Sequence, residues 1–151
     1  MAIHKEERRL CNSAQQLFEL VAHVESYPEF LPLWHDVRVM KNQQNKSEHS
    51  VYITDQLIQL GPLYKRFRTQ TTLVPFRSIH IISSDPMFQK FTIDWLFIAE
   101  KEGGCRIQFT LDCMASSVLL RPIFDITLLQ AARSIITAFE NRAKIIYGRL
   151  N

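Results

Sequence analysis

The C-terminal quarter of the chain restricts the fold more than any other stretch. From Pro122 it reads PIFDITLLQAARSIITAFENRAKIIY, and Gly148 follows. Ile123, Ile126, Leu129, Ala132, Ile136, Phe139, Ala143 and Ile146 recur at steps of three and four, the spacing of one helix face. Pro122 suits a first helical turn and Gly148 a stop. The segment predicts a helix of about 26 residues, roughly 39 Å long. Its apolar stripe must be covered by something else.

The candidate cover lies upstream. From Trp34 to Ala115 the pattern is two-fold, broken at KNQQNKSE, Gly61-Pro62, Pro75-Phe76-Arg77, Ser84-Asp85-Pro86 and Glu102-Gly103-Gly104. Five or six strands joined by such short turns make an antiparallel meander. In CRIQFTLDC, Cys105, Ile107, Phe109, Leu111 and Cys113 share one face, so that strand is half-solvated. In FTIDWLFIA, Phe91, Ile93, Trp95, Phe97 and Ala99 share a face with Leu96 and Ile98 opposite. An outer cover is therefore expected over that second strand. A helix stripe and a sheet face can bury each other. The economical α+β solution is a strongly bent sheet gripping the helix, with a ring-lined space between them.

The N-terminal third supplies shorter pieces. Ser13-Ala-Gln-Gln16 is a capping box, and Leu17, Phe18, Val21 and Val24 continue it as a short amphipathic helix. Next comes VESYPEFLPLWHDV, where Pro28 and Pro32 forbid one long helix. The prolines leave short pieces that turn Tyr27, Phe30, Leu31 and Trp34 inward over one end of the sheet. These rings form either a lid at a tunnel entrance or a plug of the sheet's open end.

At 151 residues, with 46% hydrophobic and 22% charged side chains, the chain fits one domain, 1–151, that needs no metal or disulfide staple. Ten phenylalanines against four glycines imply a ring-rich interior. A net charge of +3 reads as solubility. Cys11, Cys105 and Cys113 are odd in number without C-x-x-C spacing, which fits free thiols in a reducing compartment. MAIHKEERRL has no apolar core of a signal peptide, and no run approaches a membrane span. A cytoplasmic protein is expected.

Enzyme signatures are missing: no G-x-S-x-G, P-loop, G-x-G-x-x-G or H-E-x-x-H occurs. His4, His23, His35, His49 and His80 are scattered. His35 and Asp36 are neighbours, and on a strand they point to opposite faces. Asp55 and His80 are the only inward polar groups expected. Lys5 to Arg9 reads as a solvated charge run. In Lys65-Arg66-Phe67-Arg68, Arg66 and Arg68 share the face away from Phe67, a surface for an anionic partner such as ribosomal RNA. The stripe Phe91, Trp95, Phe97 and Phe109 reads either as core or as ligand pocket.

Four collinear stretches carry a resemblance: LVAHVESYPEFLP (Leu20 to Pro32), DPMFQKFTIDWLF (Asp85 to Phe97), CRIQFTLD (Cys105 to Asp112) and AFENRAKIIYG (Ala138 to Gly148). Together they are similar to the coenzyme Q-binding, START-like family of the polyketide cyclase/dehydrase superfamily. The resemblance implies a helix-grip fold: about seven antiparallel strands, two short helices after the first strand, and a tunnel for an apolar ligand. It implies binding of ubiquinone in support of respiration or quinone handling; without a catalytic constellation in the sequence, a non-enzymatic role with no other cofactor and no metal is expected. For some bacterial members it implies binding to the large ribosomal subunit and a block of subunit association. Where the family often has a small residue or cysteine after FLP, this chain has Leu33 and Trp34.

The residues expected to line the tunnel are Tyr27, Phe30, Leu31, Trp34, Phe67, Phe91, Trp95, Phe97, Phe109, Ala132, Ile136 and Phe139. Trp95 is expected to face the last helix near Ala132, Ile136 or Phe139. Lys65, Arg66 and Arg68 are the surface for an anionic partner. The expected partners are an isoprenoid quinone or other apolar lipid, with transient contact at the inner membrane and the large ribosomal subunit as the further candidate. DNA is not among them.

Overall fold

Capping chemistry explains where the first helix starts. Ser13 Oγ accepts from the Gln16 amide at 3.1 Å, and Gln16 Oε1 accepts from the Ser13 amide at 3.4 Å. The structure is a computed structural model that describes residues 2–44 and 50–148. Its elements in chain order are β1 (Ala2–Leu10), α1 (Ala14–Ala22), a 3-10 turn (Val24–Glu29), β2 (Trp34–Gln44), β3 (Ser50–Leu60), β4 (Leu63–Val74), β5 (Ser78–Ile82), β6 (Phe88–Ala99), β7 (Cys105–Ala115) and α2 (Arg121–Tyr147). The turn expected within KNQQNKSE falls mostly at 45–49, outside the described residues.

All seven strands form one antiparallel sheet in the order β1-β7-β6-β5-β4-β3-β2. The meander β2 to β7 is sequential, and β1 closes the far edge against β7. The expected α+β helix-grip architecture is borne out. At the β3–β4 turn Gly61 has φ +62°, and a Cβ there would meet Ile123 of α2 at 3.0 Å. That turn therefore presses against the start of the long helix, where a side chain would force the two apart.

α2 runs 27 residues, close to the length expected. Its buried face is Phe124, Leu128, Ala132, Ile135, Ile136, Phe139 and Ala143. Ala132, Ile136, Phe139 and Ala143 of the predicted stripe are buried, but Ile123, Ile126 and Ile146 are exposed. The first half of the helix is apolar on two overlapping faces, and the face of Phe124 and Leu128 takes the interior. Tyr147 donates to the Gln16 carbonyl at 3.1 Å, so the C-terminal end of α2 is pinned to α1.

Two further expectations are corrected. Leu96 on the convex face is 45% exposed, so among the described residues no element covers the outer side of β6 there. The Lys5–Arg9 run is only half solvated. His4, Glu6 and Arg8 share the concave face, and Arg8 donates to Thr137 of α2 at 2.8 Å and lies 3.4 Å from Glu140. Because β1 is an edge strand beneath α2, polar side chains there reach the helix flank and join it to the sheet. Among the described residues no helix is long and apolar enough to cross a membrane.

Candidate functional site

The space between sheet and helix is nearly filled. A cavity of about 20 Å³ remains under the first half of α2, room for about one water molecule. Its wall is apolar throughout: Leu33 and Trp34, Ile58 of β3, Phe67 of β4, Phe91 and Ile93 of β6, Phe109 and Leu111 of β7, and Leu128, Ala131, Ala132 and Ile135 of α2. Strand alternation places these sheet residues on the concave side. Next to the cavity is an open groove of about 570 Å³ between Pro28–His35 and the β3–β4 turn on one side and Thr127 and Gln130 on the other. Leu33 and Trp34 belong to both walls. Leu33 has φ +27°, a conformation leucine rarely adopts, and its carbonyl is held by the Gln59 amide at 2.9 Å.

Of the expected lining residues, Trp34, Phe67, Phe91, Phe109 and Ala132 border the cavity, and Leu31 borders the groove. Tyr27, Phe30, Trp95, Phe97, Ile136 and Phe139 lie behind that wall. Trp95 meets α2 at Phe139, edge to face with centroids 5.3 Å apart, and packs on Phe109 at 4.7 Å. Phe139 also receives Tyr27 at 5.5 Å and Phe30 at 5.1 Å. Burial pushes the Tyr27 hydroxyl above the usual phenol range, and that hydroxyl donates to the Val21 carbonyl. The turn containing Pro28 is therefore a packed cap, held to α2 by rings and by an Arg142–Glu29 bond at 2.6 Å.

The inward polar groups are not those expected. Asp55 lies on the convex face and accepts from Arg66 at 2.6 Å. His80 is also on that face, 2.5 Å from Asp94. In each case the residue has the opposite parity to its buried strand neighbours. The interior holds Thr54, Gln56, Thr69 and Thr71 instead, all buried. Their parity with Ile58 on β3 and with Phe67 and Leu73 on β4 was the available signal. Trp34 Nε1 donates to Gln56 Oε1 at 3.0 Å, tying this strip to the cavity wall.

On the outer surface Arg66 is engaged by Asp55 at 2.6 Å and Asp36 at 3.5 Å, while Arg68 faces solvent. Lys65 has the opposite parity and does not share their face. Among the described residues no cluster of three His, Cys, Asp or Glu side chains could hold a metal ion. Cys105 and Cys113 are buried free thiols, and Cys11 is exposed.

The comparisons with known proteins fit this geometry. The sequence profile of the family described as polyketide cyclase/dehydrase and lipid transport matches residues 11–140. The chain belongs to this family. One relative is the ribosome association toxin RatA of Pseudomonas aeruginosa, 32% identical over 135 residues, 89% of this chain and 90% of that protein. The mitochondrial coenzyme Q-binding protein COQ10 homolog B of Xenopus laevis is 21% identical over 152 residues, covering 97% of this chain and 59% of that protein. Among solved structures, an 18 kDa protein of Caulobacter crescentus is 25% identical with a TM-score of 0.78, covering 99% of this chain and all of that one. The family description itself spans enzymes and lipid-transport proteins. The resemblance read from the four collinear stretches is borne out.

Proposed function

We propose that the chain is a non-enzymatic binder of an apolar isoprenoid lipid, with ubiquinone as its ligand, working in the cytoplasm with transient contact at the inner membrane. The observation that carries this reading is an all-apolar cavity that shares Leu33 and Trp34 with the wall of an open groove. At 20 Å³ the cavity is in a closed state, far below the roughly 300 Å³ of an occupied small-molecule pocket. Entry therefore requires the cap and the first half of α2 to separate. Burial of a prenyl tail contributes roughly 0.8 kcal/mol per CH₂, enough to drive that opening with several isoprene units. The resemblance to a coenzyme Q-binding protein supports the choice of ligand. Among the described residues the interior strip carries hydroxyls and an amide but no carboxylate or imidazole, which supports binding over acid–base chemistry. Lipid extraction of purified protein, followed by mass spectrometry with and without added ubiquinone, tests the reading. Recovery of neither quinone nor another lipid in both arms would overturn it.

A second reading is action on the large ribosomal subunit, favoured by the 32% identity with a ribosome association toxin. Arg68, exposed and in no ion pair among the described residues, is its candidate surface cation, whereas Arg66 is already paired with two carboxylates. Salt separates the two readings. Contact with RNA phosphates weakens steeply as salt rises, whereas burial of an apolar tail is nearly indifferent to it. Sedimentation with ribosomal subunits at low and high salt, for wild type and Arg68→Ala, is the measurement.

A further inference from the structure

The strip Thr54, Gln56, Thr69 and Thr71 carries more hydrogen-bond donors than its own bonds use. Trp34 Nε1 donates to Gln56 Oε1 at 3.0 Å. Both amide protons of Gln56 are also placed, on Thr54 Oγ1 at 3.1 Å and on Thr69 Oγ1 at 3.0 Å. The Thr54 and Thr69 hydroxyls bond to each other, which places one hydroxyl proton. A hydroxyl has one proton to give, so these bonds leave the other proton of that pair without an acceptor. Thr71 Oγ1, at 1% residue exposure, has no hydrogen-bond partner among the described residues. Buried hydroxyls normally find partners. An unmet donor in a closed interior therefore marks a place where an acceptor belongs.

The strip adjoins the cavity. Gln56 lies two residues from Ile58, and Thr69 two from Phe67, on the same sheet face; Ile58, Phe67 and Trp34 are cavity wall. Thr71 pairs with Ile81, which pairs with cavity-lining Ile93. A ligand pocket is typically apolar with a few convergent polar groups that fix orientation. We propose that the strip is the head-group subsite of the lipid, with the Thr71 hydroxyl donating to a carbonyl or ether oxygen of a ring. The tail then runs past Trp34 and Leu33 into the groove. This inference rests on the lipid-binding reading and adds a substrate class to it: an isoprenoid whose head offers acceptor oxygens, in preference to a bare hydrocarbon.

Thr71→Val keeps the shape and removes the donor. The probes are ubiquinone with two isoprene units and farnesene, an isoprenoid hydrocarbon without oxygen. The variant should weaken ubiquinone binding about ten-fold and leave farnesene binding within two-fold. Its thermal midpoint should stay level or rise, because an unpaired buried hydroxyl is lost. Thr71→Ser, which keeps the hydroxyl, should retain ubiquinone affinity. The carbonyl stretch of bound ubiquinone should lie at lower frequency in wild type than in Thr71→Val. Unchanged ubiquinone affinity in Thr71→Val and in the Thr69→Val/Thr71→Val double variant overturns the subsite while leaving lipid binding intact. Equal weakening of both probes also overturns it, since that is the mark of a packing defect. If wild type binds neither probe, the lipid-binding reading itself fails and the subsite with it.

Discussion

Arg142 spans the seam between the cap and the long helix, its Nη2 bonded to Glu29 at 2.6 Å and its guanidinium 5.2 Å from the Phe30 ring centroid. Glu29 is mostly exposed, so the pair contributes at most about 1 kcal/mol to global stability. Its effect is local. Arg142→Ala should lower the thermal midpoint by only a few degrees, yet speed amide hydrogen exchange across Val24–Leu31 several-fold. Unaltered exchange there would show that the rings alone hold the cap.

The two tryptophans should separate cleanly. Trp34 borders cavity and groove, whereas Trp95 is packed among Phe97, Phe109 and Phe139. Ubiquinone added to wild type should quench indole emission, and Trp34→Phe should remove most of that quench. Trp95→Phe should retain it, with binding within two-fold and stability lower by about 1–3 kcal/mol. Trp95→Ala should cost about 3–5 kcal/mol. A quench that survives Trp34→Phe and vanishes in Trp95→Phe would move the ligand to the other face of the ring cluster.

Leu33 has an unfavourable backbone angle at the point where cavity meets groove. A leucine held there costs on the order of 1–3 kcal/mol. Leu33→Gly relieves that strain and clears the gap, so stability should change by less than about 1 kcal/mol. Ubiquinone association, followed by stopped-flow fluorescence, should accelerate several-fold in Leu33→Gly and also in Leu33→Ala. Wild-type rates in both variants would place the entrance elsewhere.

Alkaline pH should destabilise the fold. Burial pushes the Cys113 thiol from 9.0 up to about 12, with the nearby Asp125 and Asp112 adding to it, and burial also raises the Tyr27 hydroxyl. Both groups are neutral in the fold and ionise more readily unfolded, so stability is full below about pH 9 and falls as pH rises toward 12. Urea midpoints between about pH 8 and 11 should decline in wild type and decline less steeply in Cys113→Ala. Identical slopes would assign the loss to other groups.

The sequence announced the architecture through periodicity. Phe91, Trp95, Phe97 and Phe109 face inward as their two-fold spacing requires, and the long helix ends where Gly148 stops it. Its first half was ambiguous because Ile123-Phe124 and Leu128-Leu129 satisfy helical spacing on two faces at once. Glu6 and Arg8 were misread because a polar residue on an inward edge position looks no different in sequence from a solvated one. Thr69 and Thr71 had the right parity for the interior, and only their polarity concealed it. The state of the cavity was not legible, since a residual volume of 20 Å³ depends on how bulky side chains interdigitate and not on which face they occupy.

The sheet order has a kinetic consequence. β1 and β2 follow one another in the chain but sit at opposite edges, and the partner of β1 is β7, with Ala2 opposite Cys113 and Leu10 opposite Cys105. The most N-terminal of these seven strands is thus completed by the most C-terminal. At roughly 5–20 residues per second of synthesis, β1 waits on the order of ten seconds with its hydrogen-bonding edge open before β7 exists. Through that interval Ala2–Leu10 carries the charges of Lys5, Glu6, Glu7, Arg8 and Arg9, which oppose pairing with other nascent chains. Arg8, which later fastens the helix to the sheet edge, thereby first serves with its neighbours as a guard against aggregation during translation.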